Sequence, residues 1–399
     1  MFHYLKCYAD GILSALPADR LLAIDAFRGL TITAMILVNN PGSWASIYAP
    51  LKHAEWHGWT PTDLIFPFFV FIVGVSILLS IGTQQARGTT NAELVRHGAK
   101  RMVKLILLGW FLALFYYNFR DPSFNWLSDR FLEMRIPGVL QRLGVVYFAT
   151  LLIVLYCPKR HYLSWAIGLC LLYSVLLLWF PYSDANGMRY QGELLPGNNL
   201  AAWLDQLVFG SMHLYASNSR PFASDPEGLL STLPAISSCL TGVLAAQFLK
   251  NNACLGRKVL VMAGFGLLLI AMAHLLAPIL PINKPLWTPS YVLLSTGFAL
   301  VVMAICLWLI DLRNYRRWTA PFVVFGANAI AFFMFAGVMA RLFSLVPLGD
   351  RSLQSLLYND LLQPLFGNYN GSLAYALLFL AMSYLVMHWM YQKGWFWKV

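Results

Sequence analysis

Residues Leu51 to Gly74 read LKHAEWHGWTPTDLIFPFFVFIVG. The first half is polar and aromatic, with His53, Glu55, His57 and Asp63 set among Trp56 and Trp59. From Leu64 to Ile81 the chain is apolar and carries no charge, close to the about 20 residues needed to cross a bilayer. A histidine and carboxylates therefore stand where a span meets water. From there a membrane enzyme can present a proton acceptor to a water-soluble substrate.

The rest of the chain repeats this apolar pattern. Hydrophobic residues make up 59% and charged residues 11% of the 399, against about 25% charged in ordinary soluble domains, and the mean hydropathy is +0.62. The apolar runs are continuous rather than short and alternating, which excludes a β-barrel and predicts an all-α, polytopic helical bundle. Ten spans are read, at about 21–38, 64–81, 105–117, 136–156, 162–180, 229–249, 259–276, 291–310, 322–342 and 373–391. They form a single transmembrane domain over 1–399, with the segment from Pro181 to Gly228 as its largest extramembrane piece. Within that piece Leu200 to Val208 reads as an interfacial helix. No internal repeat is found, which weighs against a transporter built from two repeats.

Charge sets the orientation. With the N-terminus cytoplasmic, the inner side holds 18 of the 28 cations and five of the 17 acids, leaving +13 there and −2 outside. Asp19, Arg20 and Lys398 are among the inner charges. This is the positive-inside pattern, and an even number of spans returns both termini to the cytoplasm. The net charge of +11 thus reports topology, and nucleic acid is not expected as a partner. The six cysteines show no CxxC pair and no metal-ligand spacing, so free thiols are expected. Met1 to Arg20 has no sustained apolar core, so no cleavable signal is expected.

Several polar residues stand out against this background. Asp25 and Arg28 are three apart on one helical face, either as an ion-pair clip or with Arg28 in an inward-facing phosphate site. Gly29 beside them permits close helix packing. Asn39 and Asn40 precede Pro41 and Gly42, a helix stop whose amides can also polarise a carbonyl oxygen. His53 and His57 lack a third ligand and the HExxH order, so no metal is expected. General-base duty suits an imidazole, which titrates near neutrality. Asp63 follows Thr60-Pro61-Thr62 as a helix-start carboxylate and can also orient a histidine. Arg142 lies inside the membrane in the fourth span and is expected to pair with a carboxylate such as Asp63. Arg96, Lys100, Arg101 and Lys104 form an inner basic cluster for lipid headgroups or a phosphorylated co-substrate. His274 and His388 read as core histidines.

In order along the chain, IDAFRGL, VNNPG, KHAEWHGWTPTDLIFPFFVFIVG, RIPGVLQRLG, DPEGLLSTLPAI, INKPLWTPSYVL and PFVVFGANAI resemble the heparan-α-glucosaminide N-acetyltransferase family and its bacterial relatives associated with N-acetylglucosamine utilisation. The resemblance implies an acyltransferase that moves an acetyl group from cytoplasmic acetyl-CoA to the amine of a glucosamine-type sugar across the membrane. It makes His53 the active-site histidine and Asn39 its polar partner. Asp63 joins them as a catalytic residue. Arg28, Arg96, Arg101 and Lys104 would hold the CoA phosphates, and Trp56, Glu55 and Arg142 the sugar. No counterpart of the lysosomal enzyme's extra luminal domain is read, so a small amino sugar is the expected acceptor. The expected setting is a bacterial inner membrane, with a homodimer by analogy. The rival reading is an amino-sugar or chitooligosaccharide transporter using the same ionisable residues.

Overall fold

The computed structural model describes residues 2–14 and 21–397; Asp19, Arg20 and Lys398, counted above on the inner side, lie outside them. Among the described residues helices and their connecting loops make up the structure, and the only strands are two two-residue hairpins, Tyr182–Ser183 with Arg189–Tyr190 and Pro347–Leu348 with Arg351–Ser352. A short α1 (Phe2–Ser14) precedes α2 (Leu22–Asn39), α3 (Ile65–Ala86), α4 (Asn91–Leu114), α5 (Val139–Tyr156) and α6 (Tyr162–Trp179). Then come α7 (Leu200–Phe209), α8 (Thr232–Leu249), α9 (Leu255–Leu276) and α10 (Pro289–Cys306). After α11 (Ala320–Ala327) and α12 (Ala329–Leu345), a stub α13 (Leu353–Ser355) leads through a π-helical stretch into α14 (Gln363–Gln392).

Among the described residues eight helices are long and apolar enough to cross a membrane, and nine if α11 and α12, bent by 74°, count as one broken span. Each of the ten apolar segments falls on helical chain, nine on one helix each and 322–342 on the broken pair α11 and α12. The tenth candidate, 105–117, lands on α4, a 24-residue helix whose first half carries Arg96, Lys100, Arg101 and Lys104. Those charges keep it from reading as an uninterrupted apolar span. The chain is a polytopic all-α membrane protein.

Loop contacts show that successive helices alternate in direction. At one end Gly58 N–H donates to Ile282 O (2.8 Å), Ile136 N–H to His213 O (3.0 Å) and Gly42 N–H to Ser372 O (3.2 Å), joining five connections that alternate with those at the other end. The other end gathers the lysine and arginine clusters, where Arg317 pairs with Asp10 at 2.9 Å and Asp311 accepts the Ala23 N–H at the start of α2 (3.2 Å). We call these the polar end and the basic end.

Without water to drive association, helices in a bilayer gain by close approach at small residues, and three contacts here depend on it. A Cβ at Gly29 would stand 1.8 Å from Phe322 O of α11, the close packing read from its sequence position. Gly74 and Gly242 do the same between α3 and α8, each with a carbonyl 1.9 Å from a built Cβ. Gly266 and Gly297 face each other's carbonyls across α9 and α10 at 2.7 and 2.6 Å. Leu171, Val175, Leu260 and Leu275 are exposed on the flanks of α6 and α9, facing lipid. His274 is exposed on the same flank of α9, so it is not the core histidine expected. His388 is half-buried, its ring stacked on Tyr384.

A second, smaller core covers the polar end. Tyr173 and Leu177 at the end of α6 pack with Tyr182, Leu200, Phe222 and Leu286. The helix expected near Leu200 to Val208 is α7, whose start is capped by the Asn199 side chain accepting from Ala202 N–H at 2.9 Å.

Candidate active site

α2 ends because Asn40 leaves helical geometry (φ −130°, ψ 55°), its amide donates back to Ile36 O at 2.7 Å, and Pro41 follows without a donor. The chain then crosses the polar end as a loop that includes His53 and His57. It turns into α3 through a 3-10 turn, Pro61–Leu64, where Thr60 and Asp63 form a capping box. One oxygen of Asp63 accepts from Thr60 N–H and Ala54 N–H, both at 3.0 Å. The other lies 2.6 Å from His53 Nδ1. Asp63 thus both starts the helix and orients the histidine.

Because a carboxylate only accepts, His53 carries a proton on Nδ1, which leaves Nε2 as the ring's accepting nitrogen. The exposures divide the labour: the His53 side chain is 50% accessible and that of Asp63 2%. Lys284 joins them, its Nζ 3.4 Å from Asp63 and 3.1 and 3.5 Å from the two ring nitrogens of His53. Burial pushes the Lys284 ammonium below its ordinary range, against the pull of Asp63 and Glu227. Its loop is braced at Asn283, which is wholly buried, donates to Trp56 O (3.0 Å) and accepts from Leu286 N–H (2.8 Å). Tyr291 OH donates to Asp63 O at 2.5 Å, tying α10 to the same turn.

Lys284 and Asn283 were not singled out as site residues from the sequence. A signal existed: between Lys258 and Asp311, Lys284 is the only charged residue. The two histidines diverge. His57 faces Asn283 (3.3 Å), and burial lowers its pKa. Trp56 anchors the loop by donating to Leu194 O at 2.7 Å, and Glu55 is exposed. Asn39 is exposed on the last turn of α2 and makes no hydrogen bond to His53 or Asp63.

The expected Arg142–Asp63 pair is not formed, because Asp63 is already held by His53 and Lys284. Arg142 is buried at 2% exposure and donates to Gly228 O (2.9 Å) and to Ser231 Oγ. Its guanidinium lies 5.3 Å from the Trp287 ring centroid. It supports the 225–231 turn from below. From above, Arg135 pairs with Asp225 at 2.6 Å and Glu227 at 2.5 Å. Burial opposes the Arg135 charge, yet the two carboxylates outweigh it and hold its pKa above the usual range. Asp205 accepts Leu229 N–H at 2.8 Å, and burial pushes its pKa up to about 7.

At the basic end a cleft of about 430 Å³ opens between α3, α4, α5 and the α11–α12 break. Arg28 and Arg101 line it, with Ser76, Gln84 and His97; Arg96 and Lys104 do not. Arg28 donates to Ser76 Oγ (2.9 Å) and lies 3.5 Å from Asp25. The Arg101 guanidinium sits 4.5 Å from the Tyr147 ring centroid, and its buried Nε has no partner among the described residues. Asn328, at the helix break, holds the chain near Trp397 by bonds to Trp395 O and Trp397 N–H, both 2.9 Å. A separate apolar pocket of about 10 Å³, room for about one water, shares Phe69 and Leu143 with the cleft and is also lined by Val139 and Leu140. Val139 begins α5 at the polar end. Ser76 and Asp63 are 13 positions apart on one helical run, or about 20 Å at 1.5 Å per residue.

Residues 20–261 match the family model described as heparan-alpha-glucosaminide N-acetyltransferase, catalytic. The human heparan-alpha-glucosaminide N-acetyltransferase is 32% identical over 365 residues, 80% of this chain and 52% of that protein. The mouse protein of the same name is 31% identical over 369 residues, 82% of this chain and 54% of its own length. The chain spans about half the length of these curated relatives. With its matched region running from the start of α2 into α9 and carrying His53, Asp63 and the Arg28 and Arg101 of the basic cleft, the chain belongs to the heparan-alpha-glucosaminide N-acetyltransferase family.

Proposed function

We propose that the protein transfers an acetyl group from acetyl-CoA, bound at the basic end, to the amine of a glucosamine-type sugar at the polar end. The observation that carries this reading is the 2.6 Å contact between His53 Nδ1 and buried Asp63, which fixes the tautomer and leaves Nε2 as the free base.

In this reading the basic end is cytoplasmic, in keeping with its excess of cations, and the membrane is a bacterial inner membrane. The CoA phosphates meet Arg28, Arg101 and His97, and the thioester arm extends from the cleft toward the start of α3, which requires the helices lining that path to part. The amino sugar enters from water and loses a proton to His53 Nε2 as nitrogen attacks the thioester carbon. Asp63 holds the resulting imidazolium in place. Lys284, 3.5 Å from Nε2, stabilises the negative charge that gathers on the carbonyl oxygen. Collapse of the adduct breaks the carbon–sulfur bond and releases CoA thiol toward the basic end. Trp56, Glu55 and Asn39 border the open side and contact the acceptor, while Arg142 acts from beneath the 225–231 turn.

Purified protein in detergent, given acetyl-CoA and glucosamine, is expected to release CoA thiol only when the sugar is present, and His53→Ala to abolish that release. Release in the variant at the wild-type rate would remove His53 from the chemistry.

A further inference from the structure

We propose that the basic end carries a second site, on the face of α3 turned away from the cleft, for a phosphate anion bearing a free hydroxyl. A pocket of about 240 Å³ lies there, lined by Leu78, Lys159, Gln247, Lys250 and Asn251. The ends of α3 and α8 and the start of α6 meet at this point. Lys250 is steered over the pocket by donating to Leu78 O at 3.3 Å. Gly82 gives it room, because a Cβ there would stand 3.0 Å from its Nζ.

Neither lysine has an ion-pair partner among the described residues. The described acids of this end are engaged elsewhere: Asp10 with Arg317, Asp25 with Arg28, Glu93 in the cap of α4, and Asp311 on Ala23 N–H. Two ammonium groups thus face one concavity without a counter-ion, and basic pockets between helices at this level suit anionic headgroups. The Gln247 side-chain oxygen supplies the second half of the recognition. It is buried with no hydrogen-bond partner among the described residues, so a ligand hydroxyl beside the phosphate would complete it. A phosphodiester carrying a polyol meets both demands.

The test uses the full chain in detergent and native mass spectrometry with phosphatidylglycerol, phosphatidylmethanol (same charge, no hydroxyl), phosphatidylcholine and soluble glycerol 3-phosphate. Phosphatidylglycerol is expected to bind best, and Lys159→Gln/Lys250→Gln to weaken it about 30-fold. Arg87→Gln/Arg313→Gln removes equal charge outside the pocket and is expected to leave binding unchanged. Gln247→Leu should erase the preference for phosphatidylglycerol over phosphatidylmethanol. Displacement by glycerol 3-phosphate at equal affinity supports the site with a soluble ligand; lipid binding without displacement supports it with the bilayer as source. Equal phosphatidylglycerol binding by the lysine double variant, or an equal loss in the control pair, would overturn the proposal.

Discussion

The two ends of the helix bundle solve opposite problems. Around His53 at the polar end charges are paired: His53 and Lys284 on Asp63, with Arg135 on Asp225 and Glu227 nearby. Buried amides and hydroxyls at Asn283, Tyr291 and Thr288 brace the backbone around them. At the basic end cations outnumber acids, the Arg101 Nε is unpartnered, and a cleft stands open. A braced set of charges fixes the geometry of a proton transfer. An open set of cations waits for a ligand that brings its own negative charge. On the proposed reading, chemistry and co-substrate capture are separated along α3, which follows directly on the Asp63 turn and whose later turns line the cleft.

Substitutions at the two ends should therefore fail in different ways. The largest effect is expected at His53: His53→Ala lowers kcat about a thousand-fold, measured as acceptor-dependent CoA release. Lys284→Gln comes next, lowering kcat about a hundred-fold with the KM for acetyl-CoA unchanged. A rise in that KM alone would move Lys284 to the donor site. At the basic end Arg101→Gln is expected to raise the acetyl-CoA KM about ten-fold with kcat preserved. If kcat fell instead, the division of labour between the ends would be wrong.

Two stability effects sharpen the picture of the polar end. Gly228→Ala would place a methyl 1.7 Å from Asp205 Oδ2, and overpacking of this kind costs about 1–3 kcal/mol, readable as a lower Tm. The smallest effect is at Asp205, whose pKa rises from 3.8 to about 7 on burial. The folded protein keeps a proton that the unfolded chain has lost between those values. Its stabilising share is therefore full below about pH 4 and is lost as pH rises through about 7. Asp205→Asn should raise Tm near pH 8 and leave it little changed near pH 4; an equal change at both would deny the shift.

The all-α bundle was legible because apolar runs and charge clusters are long-range, redundant signals, and each of the ten segments fell on helical chain. That Asp63 starts a helix and orients a histidine was legible because the capping box and both histidines lie within one short stretch; which histidine it holds was shown only by the fold. Lys284 lies far along the chain, and only the fold brings it to His53. The Arg142–Asp63 pair failed for a related reason: charge complementarity picked plausible partners, but the 225–231 turn offered Arg142 a carbonyl and a hydroxyl nearer to hand. The bend at Asn328 was hidden because α11 and α12 together make one uninterrupted apolar run. Which cations line the cleft depends on helix rotation: Arg101 points inward, whereas Arg96 and Lys104 on the same helix do not.

The central claim is transfer across the bundle, from donor at the basic end to acceptor at the polar end. It is tested most directly in proteoliposomes of uniform orientation, checked by labelling a cysteine placed at Ser217 with an impermeant reagent. Acetyl-CoA is supplied on the basic side only and amino sugar on the polar side only. The account predicts N-acetylated sugar on the polar side and CoA thiol on the basic side. Unmodified sugar crossing to the basic side, or product formed only when both substrates share one side, would contradict it.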